Sequence, residues 1–324
     1  MKVGLIVPYF GKFPNYFQLV LNSCAINKSH YEWIFFTDDK TEYVYPDNVK
    51  VFNCTFQELK EKIQKKFDFK ISLDNPYKLC DYKPAYGFIF EEYLVGYDFW
   101  GHCDIDCIYG VFDNFLREDA FLYDKILRLG HLTLYRNNKD VNRRFMLSVN
   151  GKIRYKEVYT TSNSCIFDEE NSAGTLSIRD IWKEYDFSEY CADMAIANVY
   201  YKSDIFRLNF QQGDGFNYFT ESRKRSLFIW DKGQLLRYWE NNGELVKKEY
   251  MYLHMMRRKM QIKVNPKKSD IYKIIPNAFE EIEKLPENLE EYKSQKWHHF
   301  NLQYPIIRIK NLKSKIQNYK NKRL

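Results

Sequence analysis

Apolar residues come in short blocks along this chain, each closed by a turn or by charge. The opening block, KVGLIVPYF, is β-branched and stops at Pro-Tyr-Phe-Gly, a strand signal. Residues 14–28 then set Phe17, Val20, Leu21 and Cys24 at helical spacing behind Pro14-Asn15. EWIFFTDD predicts a second strand ending in acids, VKVFNC a third, and TFQELKEKIQKKF a polar helix over roughly 55–67. Strand, helix, strand, strand, helix in this order predicts an α/β fold with an open, mostly parallel sheet and flanking helices.

Further along, the pattern predicts a helix over about 82–95, a strand through DFWGHC, and a helix over 111–128. HLTLYRN and YKEVYTTSNSCIFDE read as strands, DIWKEYDF as a short helix. SLFIWDKGQLLRYWENNGELVKKEYMYLHM reads as a meander turning at Asp231-Lys232-Gly233 and Asn241-Asn242-Gly243. Residues 261–300 are rich in Lys and Glu, with spacing that predicts peripheral helices and linkers. There are no internal repeats. The domain reading is a catalytic domain over 1–260 and a C-terminal helical extension over 261–324.

Composition narrows the class. The 324 residues suffice for a sizeable core. Aromatics make up 18%, a content that suits stacking surfaces and also follows from A/T-rich coding, as the many Lys, Asn and Ile residues do. Seven scattered cysteines without a C-x-x-C pair exclude a zinc ribbon and a thioredoxin-like motif. Cys103 and Cys107 flank an acidic pair, which admits a thiolate ligand, although small buried residues in a reducing compartment account for them equally simply. The first apolar run is too short for a signal peptide, and no stretch approaches the ~18 apolar residues of a membrane span. A cytoplasmic protein is expected. The net charge of +7 resides in residues 306–324, which hold seven Lys or Arg and no acid. The rest of the chain is formally neutral, so nucleic acid is not an expected partner.

The most chemically specific feature is Asp104-Ile105-Asp106, at the end of a strand-like aromatic run. Two carboxylates converging there repel unless a cation lies between them, and a divalent ion with open positions for phosphate oxygens is the usual solution. In an open α/β sheet, ligands lie beyond the carboxyl ends of the strands. Pro8-Tyr9, Asp38-Asp39 and Asp104-Asp106 all fall at such ends.

The segments VPYFGKFPNYF, IFFTDD, KLCDYKPAYGFIFEEYLVGYDFWGHCDIDCIYG, GHLTLYRN and YMYLHMMRRKM together resemble metal-dependent glycosyltransferases of the GT-A fold. More closely they resemble bacterial proteins that build capsule and surface polysaccharides. The resemblance implies a nucleotide-sugar donor, with UDP the preferred nucleotide, a glycan or polyprenyl-linked acceptor, and Mn²⁺ or Mg²⁺ as cofactor. It places Pro8 and Tyr9 against the nucleotide and Asp38 or Asp39 at its base or ribose. Helix capping is the competing use of those two acids. It assigns Asp81 to the nucleotide-sugar site, Lys83 to the diphosphate, His102 to the sugar pocket, and Asp104 to the ribose or the metal. Asp106 is the metal ligand, and His254 a further one. Arg257, Arg258 and Lys259 would neutralise the leaving diphosphate. An inverting enzyme also needs a base. Asp168, Glu169, Glu170, Asp193 and Asp214 are the candidates, with Glu169 or Asp193 favoured.

Two other readings stand beside this one: a nucleotidyltransferase, and a non-catalytic carbohydrate-binding protein on a GT-A scaffold. The first would carry a Gly-rich basic loop after the first strand, where VPYFGKFPN is poor in Gly. In the tail, Ile309, Leu312, Ile316 and Tyr319 form one apolar stripe flanked by Lys and Arg. This pattern predicts a helix lying on an anionic bilayer, and hence a peripheral position at the inner face of the cell membrane.

Overall fold

The computed structural model describes residues 1–170, 174–191, 195–200, 205–212, 215–221, 226–296, 305–306 and 308–313. The chain is a mixed α/β protein that divides into two units. The first comprises Met1–Phe13, Asn27–Ile105 and Asp113–Ala192; the second comprises Pro14–Ile26, Asp106–Phe112 and Asp193–Leu324.

The first unit is built on one sheet. Its strands are β1 (Val3–Pro8), β2 (Tyr31–Thr37), β3 (Val49–Asn53), β4 (Phe99–Cys103), β6 (Lys125–Leu129), β7 (Leu132–Arg136) and β8 (Glu189–Tyr190). Their spatial order is β3-β2-β1-β4-β7-β6-β8. β1 pairs in parallel with β2 and β4, and β2 with β3, while β7 runs antiparallel to both β4 and β6. Parallel strands are covered on both faces, which is why β1 and β2 read as nearly continuous apolar runs. Val3, Leu5, Ile6, Trp33, Ile34 and Phe35 are all buried. The strand order reverses at β1, with β2 to one side and β4 to the other, and such a reversal leaves a crevice at the carboxyl ends.

Helices α2 (Phe56–Gln64), α3 (Leu79–Tyr82), α4 (Tyr86–Ile89), α5 (Arg154–Thr160) and α6 (Ile178–Glu184) belong to the same unit. Thr55 and Glu58 close a reciprocal capping box on α2, worth about 1 kcal/mol. The core is aromatic: Tyr82 stacks on Tyr159 at 4.1 Å and Trp100 on Tyr135 at 4.5 Å. A Cβ at Gly87 would lie 2.3 Å from the Trp100 indole, so glycine is what lets α4 lie flat on β4.

Three local expectations are corrected. The stretch 82–95 is not one helix but α3, a 3₁₀ turn over Lys83–Ala85, α4, and a 3₁₀ turn over Glu91–Tyr93. Pro84 supplies no N–H to a continuous helix. The stretch 111–128 holds short 3₁₀ turns and then β6, because Lys125 and Ile126 pair with Tyr135 and Leu134. YKEVYTT is α5 rather than a strand: Tyr155, Val158 and Tyr159 share one buried helical face, a period of 3.6.

The second unit holds α1 (Phe17–Ala25) and two sheets. One has the order β11-β10-β9-β15-β5, with β5 (Cys107–Tyr109), β9 (Ile196–Val199), β10 (Phe206–Gln212), β11 (Gly215–Thr220) and β15 (Tyr252–His254). The other has the order β14-β13-β12-β17-β18-β16. Its strands are β12 (Ser226–Asp231), β13 (Gln234–Asn241), β14 (Glu244–Glu249), β16 (Gln261–Lys263), β17 (Ile271–Ile275) and β18 (Ala278–Glu281). The meander turns form as expected: Lys232-Gly233 and Asn242-Gly243 each hold two consecutive positive φ angles, the geometry of tight hairpins.

The helices expected over 261–300 are largely strands. Ile275 of β17 and Ala278 of β18 pack into a core with Leu227, Ile229, Leu236 and Tyr238, which Tyr292 of α7 (Leu289–Gln295) completes, while Tyr272 is buried against Trp230. The described part of the C-terminal extension is therefore strand-rich, with α7 and short helical stretches at 305–306 and 308–313. In those stretches Ile306, Ile309 and Leu312 are 43%, 54% and 59% exposed. Ile316 and Tyr319 lie outside the described residues. No described helix is long and apolar enough to cross a membrane.

Candidate functional site

The division between units falls inside the acidic motif: Asp104 belongs to the first unit and Asp106 to the second. Each carboxylate has its own network.

In the first unit, Asp104 follows β4 and is about one-third exposed at its side chain. The buried Lys83 ammonium reaches Asp104 Oδ1 at 2.7 Å, the Gly130 carbonyl at 2.8 Å and Asp168 Oδ2 at 3.4 Å. Two of its three N–H donors are thereby committed to Asp104 and the Gly130 carbonyl, with Asp168 as a further ion-pair partner, rather than to a phosphate. Burial works against its charge, yet Asp104 and Asp168 hold its pKa well above the usual lysine value. Burial pushes the Asp168 carboxyl up to about 7; Lys83 opposes this, and the Glu169 and Asp104 charges add to it. Glu169 accepts the Gly130 N–H at 2.8 Å. A Cβ at Gly130 would meet Asp168 Oδ2 at 2.6 Å, so glycine here is what admits the acids. His102 is fully buried and donates from Nδ1 to the Gly130 carbonyl at 3.1 Å. Burial first, and Lys83 second, keep it neutral. It supports Gly130 from beneath rather than lining a surface.

The other strand-end residues are also held by this unit's own loops. Tyr9 stacks on Phe13 at 5.2 Å and donates to the Lys12 carbonyl at 3.1 Å, and Pro8 ends β1 against Phe36. Asp39 is buried under the Lys12 ammonium, the Phe13 N–H, and the hydroxyl and N–H of Thr41. Burial raises its carboxyl, but these donors outweigh burial and hold it far below the usual range. That makes Asp39 a clamp for the loop after β1. Asp38 is exposed and accepts the Gly11 N–H at 2.7 Å. Asp81 is buried against Lys78 at 2.8 Å and accepts the N–H groups of Cys165 and Phe167 at 2.9 and 3.1 Å. Lys78 also reaches the Asn163 carbonyl, so the pair pins the segment leading to Asp168 and Glu169. Glu170 pairs instead with Arg179.

In the second unit, Asp106 precedes β5. That strand is fixed by Ser23 Oγ of α1, which accepts the Tyr109 N–H at 3.1 Å, and by Trp230 Nε1, which donates to the Tyr109 carbonyl at 3.0 Å. β15 lies between β5 and β9, and the register sets His254 opposite Cys107 on one side and Asn198 on the other. Directly opposed residues share a face of the sheet. Asp106, Cys107 and His254, all buried, thereby place one ligand atom each within 4.8 Å of one another. His254 Nε2 lies 3.3 Å from Asp106 Oδ1, and its Nδ1 lies 3.0 Å from Asn198 Oδ1. The other Asp106 oxygen accepts the Arg257 N–H. Two consecutive left-handed residues, Met256 (φ 51°) and Arg257 (φ 56°), turn the chain so that this amide faces the carboxylate, a costly conformation outside glycine. Arg258 donates to Asn277 and to the Tyr200 carbonyl, while Arg257 and Lys259 are exposed.

The structure thus brings His254 to Asp106 and Lys83 to Asp104. Cys107 and Asn198 complete the second-unit group, and only the C-x-x-x-C flanking of the acidic pair hinted at the former. Asn198 carries no sequence signal, since strand register alone places it. Asp193 and Asp214 lie outside the described residues.

These features define an α/β protein with a buried Asp–Cys–His group in one unit and a carboxylate–ammonium–carboxylate cluster in the other. The chain belongs to a family of unknown function, DUF6625, whose model matches residues 5–283. No curated protein matches it.

Proposed function

We propose that the protein is a metal-dependent glycosyltransferase of the GT-A type, moving a sugar from a nucleotide-sugar donor to a glycan or polyprenyl-linked acceptor. The observation that carries this reading is the Asp106–Cys107–His254 group. With His254 Nδ1 facing an amide oxygen, the ring donates from that nitrogen and turns Nε2 towards Asp106 Oδ1 at 3.3 Å. Carboxylate oxygen, imidazole nitrogen and thiol sulfur form a donor set that fits a divalent cation. Such an ion supplies charge neutralisation for a leaving diphosphate as the glycosidic C–O bond breaks. The reversal of strand order at β1 further supports a nucleotide at the carboxyl ends of the parallel strands.

The chain's own residues have definable parts in this reading. Lys83 pairs with Asp104 and fixes its direction. Asp39 holds the loop that carries Tyr9, leaving exposed Asp38 as the acid that can accept from a ribose hydroxyl. Asp168, with a carboxyl near 7, is the first-unit group suited to exchange a proton at neutral pH.

The test is incubation with a panel of UDP-, GDP- and CMP-sugars in Mn²⁺ or EDTA, following release of free nucleotide. Metal-dependent release from one donor is expected, reduced at least about 100-fold in Asp106→Ala and His254→Ala, the upper loss typical of disturbed metal sites. Full activity in both variants overturns the assignment. Pyrophosphate release from a nucleoside triphosphate would instead mark a nucleotidyltransferase, and sugar binding without turnover a carbohydrate-binding scaffold.

A further inference from the structure

The row of side chains behind His254 carries an inference that rests on the metal reading above and deepens it. Asn198 and Asn209 are both buried in neighbouring strands, β9 and β10. Asn198 donates from Nδ2 to Asn209 Oδ1 at 3.0 Å, which turns its own Oδ1 towards His254 Nδ1, also at 3.0 Å. An amide oxygen only accepts. The ring therefore donates from Nδ1, and Nε2 faces a carboxylate oxygen. At 3.3 Å, Nε2 and this oxygen are close enough to hold one cation together. Metal-bound histidines commonly donate their second nitrogen to such an oxygen, which fixes tautomer and ring direction.

We propose that Asn198, oriented by Asn209, is a positioning residue that presents His254 Nε2 to Asp106 and makes the Asp106–Cys107–His254 group a site for a first-row transition ion in preference to Mg²⁺ or Ca²⁺. The preference follows from the donors. Imidazole suits ions such as Zn²⁺, Fe²⁺ and Ni²⁺ and thiolate suits Zn²⁺, whereas Mg²⁺ and Ca²⁺ take oxygen ligands.

Two measurements on the full chain test this. In the first, Co²⁺ is titrated in excess Mg²⁺ and followed by absorption, where a thiolate-to-metal band reports Cys107. Asn198→Ala is expected to weaken Co²⁺ binding 10- to 100-fold. Asn198→Asp should bind at least as well as the parent, because Asn209 can rotate its amide and donate its otherwise unpartnered Nδ2. Thermal unfolding of the variants separates lost affinity from lost fold. In the second, ¹⁵N-histidine labelling of metal-free protein reads the ring directly, with His254 expected as the Nδ1–H tautomer at pH 8.

Parent-like Co²⁺ affinity in Asn198→Ala, displacement of Co²⁺ by Mg²⁺, or an Nε2–H or doubly protonated ring at pH 8 each overturns the proposal. Co²⁺ binding that depends on Asn198, without turnover of any sugar nucleotide, would retire the glycosyltransferase reading alone. A parent protein that binds no transition ion overturns both.

Discussion

Lys83 shows how one residue changes meaning between sequence and structure. Its position before a helix suggested a phosphate ligand; in the fold it is the buried counter-ion of two acids. Removing it as Lys83→Met should cost about 3 kcal/mol at pH 8, where Asp104 loses its counter-ion and Asp168 must take up a proton to stay buried, and less at pH 6, where Asp168 binds that proton more readily. Urea unfolding at the two pH values checks this. Asp168 itself makes a signed prediction. Its folded value of about 7 lies above its value of 3.8 in an unfolded chain, so the folded state binds the extra proton between those limits. Stability from this group is therefore highest below pH 4 and falls as pH rises to 7, by at most about 1.4 kcal/mol per pH unit. Asp168→Asn should flatten that part of the stability profile. An unchanged slope would show that another group titrates there.

At the scale of elements, the loop from Asn163 to Glu169 owes its position to the Lys78–Asp81 pair. Asp81→Ala strands a buried ammonium and frees two backbone N–H groups, so a loss of about 3 kcal/mol is expected. Hydrogen exchange should accelerate at Cys165 and Phe167 before it does so in β1 or β2. Equal acceleration throughout would mean that the pair supports the whole unit. The same scale explains which elements could be read in advance. β1, β2, β3 and α2 announced themselves through long apolar runs or clear caps, whereas the periodicity of α5 was disguised by its β-branched and aromatic residues. β16 to β18 were missed because Lys and Glu on their open face resemble a helical pattern when the strand partners are unknown.

For the whole molecule, charge is the legible property. Seven cations in residues 306–324 account for the entire net charge of +7, and the described part of that segment leaves Ile306, Ile309 and Leu312 uncovered. We expect the full chain to bind vesicles containing anionic lipid, with an affinity that falls as salt rises. A chain ending at residue 305 should lose that binding and retain its unfolding midpoint. Equal retention of both proteins on sedimented vesicles would exclude the tail as the contact.

The sequence by itself determined the strand runs of the α/β core, the hairpin turns, the acidic tripeptide and the basic end, because each is a local pattern of period, turn chemistry or charge. Tertiary structure alone decided the partners. Asp104 and Asp106, two residues apart, serve separate networks. Lys83 meets Asp168 across 85 positions, and His254 finds Cys107 and Asn198 through strand register. Contacts made by pairing and burial between distant segments leave no mark in local sequence, and the chemistry of these residues rests on those contacts.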